Sequence, residues 1–203
     1  MALPKYIQQS VFTPSEIEFI SEYEQITILP LQRMEAITLL EGTYGPFRPP
    51  LTIKVPLWLA VTLKKKHKCS IQPPKWLNIE TLKKKKQREE ENEKEFSDLP
   101  THYFEISSVL LDSASDDIPY SDEIKILLKD IREIRRRKTK KGLELLNSNY
   151  IQLDNLGLME INEIRPFFSK AFNDMRKLEE ILPRFQDSQA SQTYSMASSS
   201  NRY

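Results

Sequence analysis

Glycine, cysteine and histidine are all scarce in this chain of 203 residues, which contains 4, 1 and 2 of them respectively. The glycines are too dispersed for a phosphate-binding loop or a dinucleotide fingerprint, because both motifs need glycines at fixed short spacing. A structural zinc site needs four ligands, and Cys69 and His67 have only His102 to join them as cysteine or histidine ligands. The sequence therefore predicts no catalytic residue, no metal and no cofactor.

The chain also lacks an excess of charge of one sign and any long apolar run. Its 30 Lys and Arg residues balance 29 Asp and Glu residues, so no global field attracts nucleic acid or a membrane. The longest apolar run, 57–61, is too short to span a bilayer. One cysteine cannot form an internal disulfide, and the start of the chain does not resemble a signal peptide. These features predict a soluble intracellular protein.

The first part of the chain carries the signals of a small β-rich domain covering 1–55. Thr13 and Pro14 are typical of a helix start. After this short helix, three segments rich in Ile, Thr, Leu and Val are separated by prolines and glycines. Short β-strands fit this pattern best, and we predict that they form one three-stranded sheet. The predicted strands lie at 26–29, 36–40 and 51–55.

From residue 56 the pattern becomes helical and predicts a larger helical domain covering 56–183. A helix near 78–95 has four lysines before its glutamates, an order that opposes the helix dipole, so we expect an exposed and marginal helix. The segment 184–203 is rich in Ser and Gln and is predicted to be disordered. The fold class is α+β, mostly α, with the small N-terminal β-rich domain followed by the larger C-terminal helical domain.

The last predicted helix begins near Pro166, because proline fits the first helical position. A kink at this proline is the alternative. Phe168, Phe172 and Met175 lie among its apolar residues, which cover an arc of roughly 140° and suggest two packing neighbours. We therefore predict that part of this face is buried against another subunit.

A polar turn precedes this helix. Asp154 and Asn155 favour caps and turns, and Gly157 permits a positive φ. Glu160 and Asn162 need hydrogen-bond partners if they are buried among apolar neighbours. Two interpretations stay open, a capped turn that locks two helices and a direct contact with another subunit. The candidate interface residues of this region are Leu153, Asp154, Asn155, Met159, Glu160, Asn162 and Arg165.

Seven cations between 132 and 141 interrupt the apolar stripe of the preceding helix. Arg135 and Lys138 lie in the line of its apolar positions, and Gly142 would allow a close backbone approach. Because the cations surround the helix, we expect an acidic protein partner and include Arg135 and Lys138 among the interface candidates. Two alternatives stay open, a solvated face and an independent basic helical module that binds nucleic-acid phosphates through 132–141. Direct nucleic-acid contact is not expected.

The segment LDNLGLMEINEIRPF at 153–167 resembles the signature of the Psf-two subunits of the GINS complex. Further blocks resemble the same family in the same order, and the resemblance covers roughly 1–182. These blocks include VPLWLA at 55–60, KCSI at 68–71, PKWL at 74–77 and LKDIR at 128–132.

This resemblance implies a non-catalytic scaffold in the nucleus, one subunit of a heterotetramer with the Sld-five, Psf-one and Psf-three subunits. It also implies that the tetramer binds the MCM ring and the Cdc-forty-five factor. Together they form the CMG helicase, which acts in the initiation and elongation of chromosomal DNA replication. ATP hydrolysis belongs to the ring, and no membrane contact is implied.

Overall fold

A computed structural model of the protein describes residues 11–40, 42–93, 95–143 and 153–199, with side chains after 153 described as far as Leu178. The chain divides into two compact units. One comprises Val11–Leu145 with Gln152–Glu163, and the other includes Ile164–Tyr203.

Helix α1, Pro14–Ser21, begins as the sequence predicts. Thr13 and Glu16 form a capping box, in which each side chain accepts a hydrogen bond from the other residue's backbone N–H. Ile17 is fully buried beneath this short helix, whereas Phe19 and Ile20 stay exposed. Ile17 is therefore the apolar side chain that this helix contributes to the interior of its unit.

Among the described residues five short strands follow, in two separate sheets. The larger sheet has the antiparallel order β4-β1-β5, formed by Ile53–Pro56, Gln25–Pro30 and Cys69–Ile71. The smaller sheet pairs β2, Ile37–Leu39, with β3, Gly42–Tyr44. The prediction of one three-stranded sheet is therefore wrong in its membership, because the second predicted strand pairs locally with β3 and β5 takes the place beside β1.

The first unit also contains helices α2 to α5, at Leu57–Lys65, Ile79–Glu91, Tyr103–Ser113 and Ser121–Leu143. They share one continuous core with the larger sheet. This arrangement confirms the predicted α+β fold, mostly α, although the domain boundary after residue 55 stays a prediction. The shared core includes Ile28, Val55, Leu57, Ile71, Leu82, Leu110 and Ile131.

Helices α3 and α5 are joined by ion pairs that follow the same order along both, so the two helices run parallel. The lysines that open α3 face acids on α5, and the glutamates that follow face basic residues. The prediction of an exposed α3 is wrong for its inner face, where Leu82 and Glu89 are buried. The pairs are Lys83–Glu123 at 2.7 Å, Lys86–Asp130 at 2.7 Å, Glu89–Lys138 and Glu93–Lys141 at 3.3 Å.

Helix α6 spans Leu158–Ser199, so its predicted start near Pro166 is wrong. The N–H of Ile161 already donates to the carbonyl of Gly157 at 3.0 Å, which shows that helical pairing precedes the proline. Pro166 therefore lies inside the helix, where it removes one backbone donor. The helix backbone also includes most of 184–203, for which disorder stays a prediction.

Candidate functional site: a buried ion-pair cluster

The centre of the site is Arg135, whose charged side chain is completely buried. It follows Ile131 by four residues on α5 and so continues the apolar stripe of that helix toward the core. A guanidinium carries five N–H donors, and the side chain donates five hydrogen bonds here. The acceptors are Glu160 Oε1 at 2.8 Å, Glu160 Oε2 at 2.9 Å, Glu89 Oε1 at 2.7 Å, the Ser97 carbonyl at 3.2 Å and the Asn155 carbonyl.

Glu160 supplies one of the two carboxylates, from the first turn of α6. Its two oxygens accept from Arg135 in a fork that is stronger and more specific than a single bond. The same oxygens accept from the Tyr103 hydroxyl at 3.0 Å and from the Gly157 N–H at 2.7 Å. A negative charge in the first turn also interacts favourably with the helix dipole. Glu160 thus fixes the start of α6 to α4 and α5.

Glu89 supplies the other carboxylate, from the inner face of α3. Its Oε1 accepts from the backbone N–H of Ser97 at 2.8 Å and from the Ser97 hydroxyl at 2.7 Å, and its Oε2 accepts from Lys138. Burial raises the pKa of Glu89, but the hydrogen bonds from Lys138 and Ser97 and the charge of Arg135 outweigh burial and hold this pKa below its usual value. Two cations therefore neutralise two carboxylates.

The surroundings of Glu89, Arg135 and Tyr103 shift the pKa of each group further from neutral pH. Burial lowers the pKa of Arg135, but its hydrogen bonds with Glu160 and the charge of that carboxylate raise the pKa above its usual value. Burial, together with the charge of Glu160, also raises the pKa of the Tyr103 hydroxyl. A general acid or base works best with a pKa near the operating pH. These shifted pKa values therefore suit a structural role better than acid–base catalysis.

The turn before α6 owes its shape to Asn155 and Gly157. Asn155 adopts a left-handed conformation with φ of 59°, and its side-chain amide donates to the carbonyl of Phe96 at 3.3 Å. Gly157 does not adopt the positive φ that it would permit, because positive φ in this turn belongs to Asn155. Gly157 is needed for space instead, since a Cβ there would lie 3.2 Å from both the Thr101 carbonyl oxygen and the Tyr103 ring.

Asn162 joins the start of α6 to the segment before α1. Its side-chain amide donates to the carbonyl of Phe12 at 2.8 Å, and its Oδ1 accepts from the N–H of the same residue at 3.0 Å. Asn162 is buried, so both polar groups have found the partners that burial requires. This pairing links residues 150 positions apart.

The structure brings four of the predicted interface residues together in the cluster, namely Asn155, Glu160, Arg135 and Lys138. The acidic groups inferred for Arg135 and Lys138 belong to this chain itself, and the Arg135 side chain has no exposed surface. The interface assignment itself is not tested by these contacts and stays a prediction. Leu153, Asp154 and Arg165 are exposed, Asn162 is buried beside Phe12, and Met159, Phe168, Phe172 and Met175 are half-buried.

Sequence reasoning missed Glu89 and Ser97. Glu89 lies seven residues after the buried Leu82, on the same face of α3. That spacing was the available signal, but a glutamate within a long charged run resembles a solvated residue. At Gly142 an added Cβ would meet nothing within 4 Å in the described residues, so the close backbone approach that this glycine would allow to a partner stays a prediction.

Metal-ligand clusters and membrane-spanning helices are both absent from the described residues. Among them, no three His, Cys, Asp or Glu side chains converge as metal ligands would. None of the described helices is both long and apolar enough to cross a bilayer.

Residues 13–72 match the family model described as PSF2 N-terminal domain, and residues 76–179 match that described as GINS complex protein helical bundle domain. The chain is 43% identical to DNA replication complex GINS protein PSF2 of Debaryomyces hansenii, over 89% of this chain and 87% of that protein. It is 42% identical to the protein of that name in Schizosaccharomyces pombe, over 89% and 98%. Identity to the Homo sapiens protein of that name is 39%, over 87% and 97%. The chain therefore belongs to the PSF2 family of GINS complex proteins.

Proposed function

We propose that this chain is a non-catalytic structural subunit of the GINS complex in DNA replication. The observation that carries the proposal is the match, over most of both chains, to relatives that bear this name. In detail, the chain joins the Sld-five, Psf-one and Psf-three subunits in a nuclear heterotetramer. Through that tetramer it supports the MCM ring and the Cdc-forty-five factor of the CMG helicase during initiation and elongation.

The buried cluster supports a structural role. Its charges neutralise one another, and the shifted pKa values of Glu89 and Arg135 keep both groups ionised at neutral pH. Burying charges costs several kcal/mol per ion before their interactions offset it, by general estimates. Such a cluster specifies how α3, α5 and the start of α6 are arranged, because its donors are all satisfied only in this arrangement.

The apolar face of α6 supports assembly with other subunits. Phe168, Phe172 and Met175 are spaced four and three residues apart on this helix, and each is only half-buried. Phe167 and Leu178 are 55% and 61% exposed. Contiguous exposed apolar surface of this kind marks interaction sites in soluble proteins. We assign this face, together with the turn at 153–155, to subunit contacts.

The test is assembly of the full chain with the three named subunits, followed by light scattering to measure mass. We expect a stable particle containing one copy of each chain. A well-folded chain that remains monomeric in the presence of all three subunits would refute the proposal.

The alternative, an independent nucleic-acid module acting through 132–141, has less support. Four of its seven cations already pair with carboxylates of this chain, which leaves Arg136, Arg137 and Lys140 without an ion pair in the described residues. The four pairs are Arg132 with Glu163, Arg135 with Glu89 and Glu160, Lys138 with Glu89, and Lys141 with Glu93.

A further inference from the structure

Four exposed cations form a stripe along the outer side of α5, namely Lys125, Lys129, Arg136 and Lys140. At 3.6 residues per turn, their spacings of four, seven and four residues keep them within an arc of about 60°, over a rise of about 22 Å. The core-facing residues of this helix, such as Ile131 and Arg135, lie on its other side. With Arg135 and Lys138 directed inward, these four of the remaining cations of α5 form an ordered stripe that the composition alone did not reveal.

None of these four cations has an ion-pair partner within the described parts of the chain. This distinguishes them from the basic residues at the boundary with α3, where Lys138 and Lys141 are both paired. Like charges four residues apart on a helix repel each other. Lys125 with Lys129, and Arg136 with Lys140, have this spacing. An acidic surface that neutralises them would therefore remove a repulsion as well as add attractions.

Two residues next to the stripe indicate whether its partner is a nucleic acid or a protein. Ile126 is 61% exposed and lies beside Lys125 and Lys129 at the edge of the stripe. Glu133 is exposed and lies between the two pairs of cations. A phosphate backbone would be repelled by Glu133 and would make no use of an isoleucine. A protein segment supplies carboxylates, apolar side chains and hydrogen-bond donors together.

We infer that this stripe, with Ile126 at its edge, is a docking surface for an acidic segment of a partner protein. A helical segment with glutamates four residues apart would match the rise of about 6 Å within each pair of cations. An apolar residue of that segment would cover Ile126. The surface uses none of the α6 residues assigned to subunit contacts, so the inference does not rest on the proposed function.

The probe is a fluorescein-labelled helical peptide with glutamates at every fourth residue along one face and a leucine beside them. Its binding to the full chain is measured by fluorescence anisotropy. The variant replaces all four cations of the stripe with glutamate, and we expect its affinity for the peptide to fall at least tenfold. Circular dichroism checks that the variant retains its helix content.

A matched control places the same four charge reversals elsewhere on the surface, at exposed cations that have no ion pair in the described residues. It should bind the peptide as the unaltered chain does. An equal loss of affinity in both variants would mean that only net charge matters and would overturn the inference. The control substitutions are Arg48→Glu, Lys54→Glu, Lys66→Glu and Lys75→Glu.

The single variant Ile126→Ser tests the same surface without changing charge, and it serves if the fourfold variant loses helix content. We expect about threefold weaker binding of the peptide, and no change with a peptide whose leucine is replaced by serine. Unchanged binding of the leucine peptide would contradict the assigned surface.

Labelled single- and double-stranded DNA, titrated at two salt concentrations, test the other source of negative charge. The inference is overturned if DNA binds more tightly than the peptide and the stripe variant abolishes this binding. Such phosphate binding is recognised by its salt dependence, since the logarithm of the affinity falls by about 0.9 per tenfold rise in salt for each phosphate contacted. These titrations need no other subunit, so their outcome is independent of whether the tetramer forms.

Discussion

Arg135 shows how one residue can hold several segments together. A buried ion is tolerated when its charge is balanced and its donors are satisfied, and here five hydrogen bonds reach α3, the segment after it, the turn and α6. The Phe96 ring lies 5.0 Å from the guanidinium carbon and shields one side of the group. Loss of this single side chain would leave two carboxylates buried without their main partner.

Arg135→Met is expected to lower the free energy of unfolding by about 3 to 5 kcal/mol, the usual result of removing one partner from a buried ion pair. Urea denaturation of the full chain measures the change. Arg137→Met, at an exposed position on the same helix, is the control and should remain within about 0.5 kcal/mol. A triple variant that also carries Glu89→Gln and Glu160→Gln should recover part of the loss. Equal stability of the Arg135 and Arg137 variants would show that the cluster contributes nothing.

The cluster also predicts an acid-sensitive stability. The pKa of Glu89 is lower in the folded chain than its ordinary value of 4.5. A lowered folded-state pKa contributes stability above the unfolded pKa, and this contribution is lost as the pH falls through the folded pKa. Stability should therefore decline below about pH 4.5. In Glu89→Gln this part of the decline should be absent, which urea denaturation at a series of pH values can determine.

Glu105 on α4 should behave in the opposite way. Its side chain is buried, its Oε1 has no hydrogen-bond partner in the described residues, and burial raises its pKa. A raised folded-state pKa favours folding below the unfolded value and opposes it as the pH rises. Glu105→Gln should thus increase stability at pH 7 by about 1 kcal/mol, the lower cost of a poorly satisfied buried group.

This gain should vanish below pH 4.5, the ordinary pKa of a glutamate, where the carboxyl is neutral in both states. Exposed Glu35 provides a control substitution that should have little effect at either pH. A gain that persists at low pH would show that packing, and not charge, is responsible.

At the scale of elements, the order of charges along α3 is explained by the order of charges along α5. The order of lysines before glutamates on α3 is unfavourable for an isolated helix. The opposite order on the parallel α5 provides a counter-charge at each step. Each half-exposed pair is worth only about 0.2 to 1 kcal/mol. Their sum therefore matters more for setting the register of the two helices than for stability.

The Lys86–Asp130 pair tests this complementarity. Lys86→Asp and Asp130→Lys should each destabilise the chain, and the double variant should recover a coupling free energy of about 0.2 to 1 kcal/mol, since both side chains are about a third exposed. A double-mutant cycle by urea denaturation measures this term. A cycle using exposed Lys84 in place of Lys86 should give no coupling, and equal coupling in both cycles would argue against a specific register.

At the scale of the whole molecule, the first unit contains a continuous core, whereas α6 beyond Glu163 carries an apolar face that is only half-buried. The continuous core therefore stabilises the structure of the first unit. The exposed apolar surface of α6 gains most from a partner chain, because burial of an aromatic side chain at the centre of an interface contributes a large share of binding free energy.

Phe172→Ala should accordingly weaken assembly by at least about 2 kcal/mol, as truncation of an interface aromatic does. The free energy of unfolding of the isolated chain should change much less. Light scattering across a dilution series measures assembly. Lys170→Ala, at an exposed position on the same helix, is the control. Assembly unaffected by Phe172→Ala would remove this face from the proposed interface.

The sequence by itself determined those features that depend on neighbours along the chain. The helix start at Thr13 and the apolar stripe of α5 follow from local spacing and propensity. The fold class and the family signature also follow from the order of such local patterns. The turn at 153–157 was recognisable for the same reason, because Asp, Asn and Gly have strong conformational preferences of their own.

Only the tertiary structure decided which distant residues meet. Arg135 and Glu89 are 46 residues apart, and Phe12 and Asn162 are 150 apart; no local pattern encodes such contacts. For this reason the sequence indicated only that cations surround α5. The structure shows that two of them, Arg135 and Lys138, pair with carboxylates inside the core. The same reason applies to the larger sheet, since pairing of β5 with β1 depends on α2, the helix that connects β4 to β5 along the chain, and not on strand propensity alone.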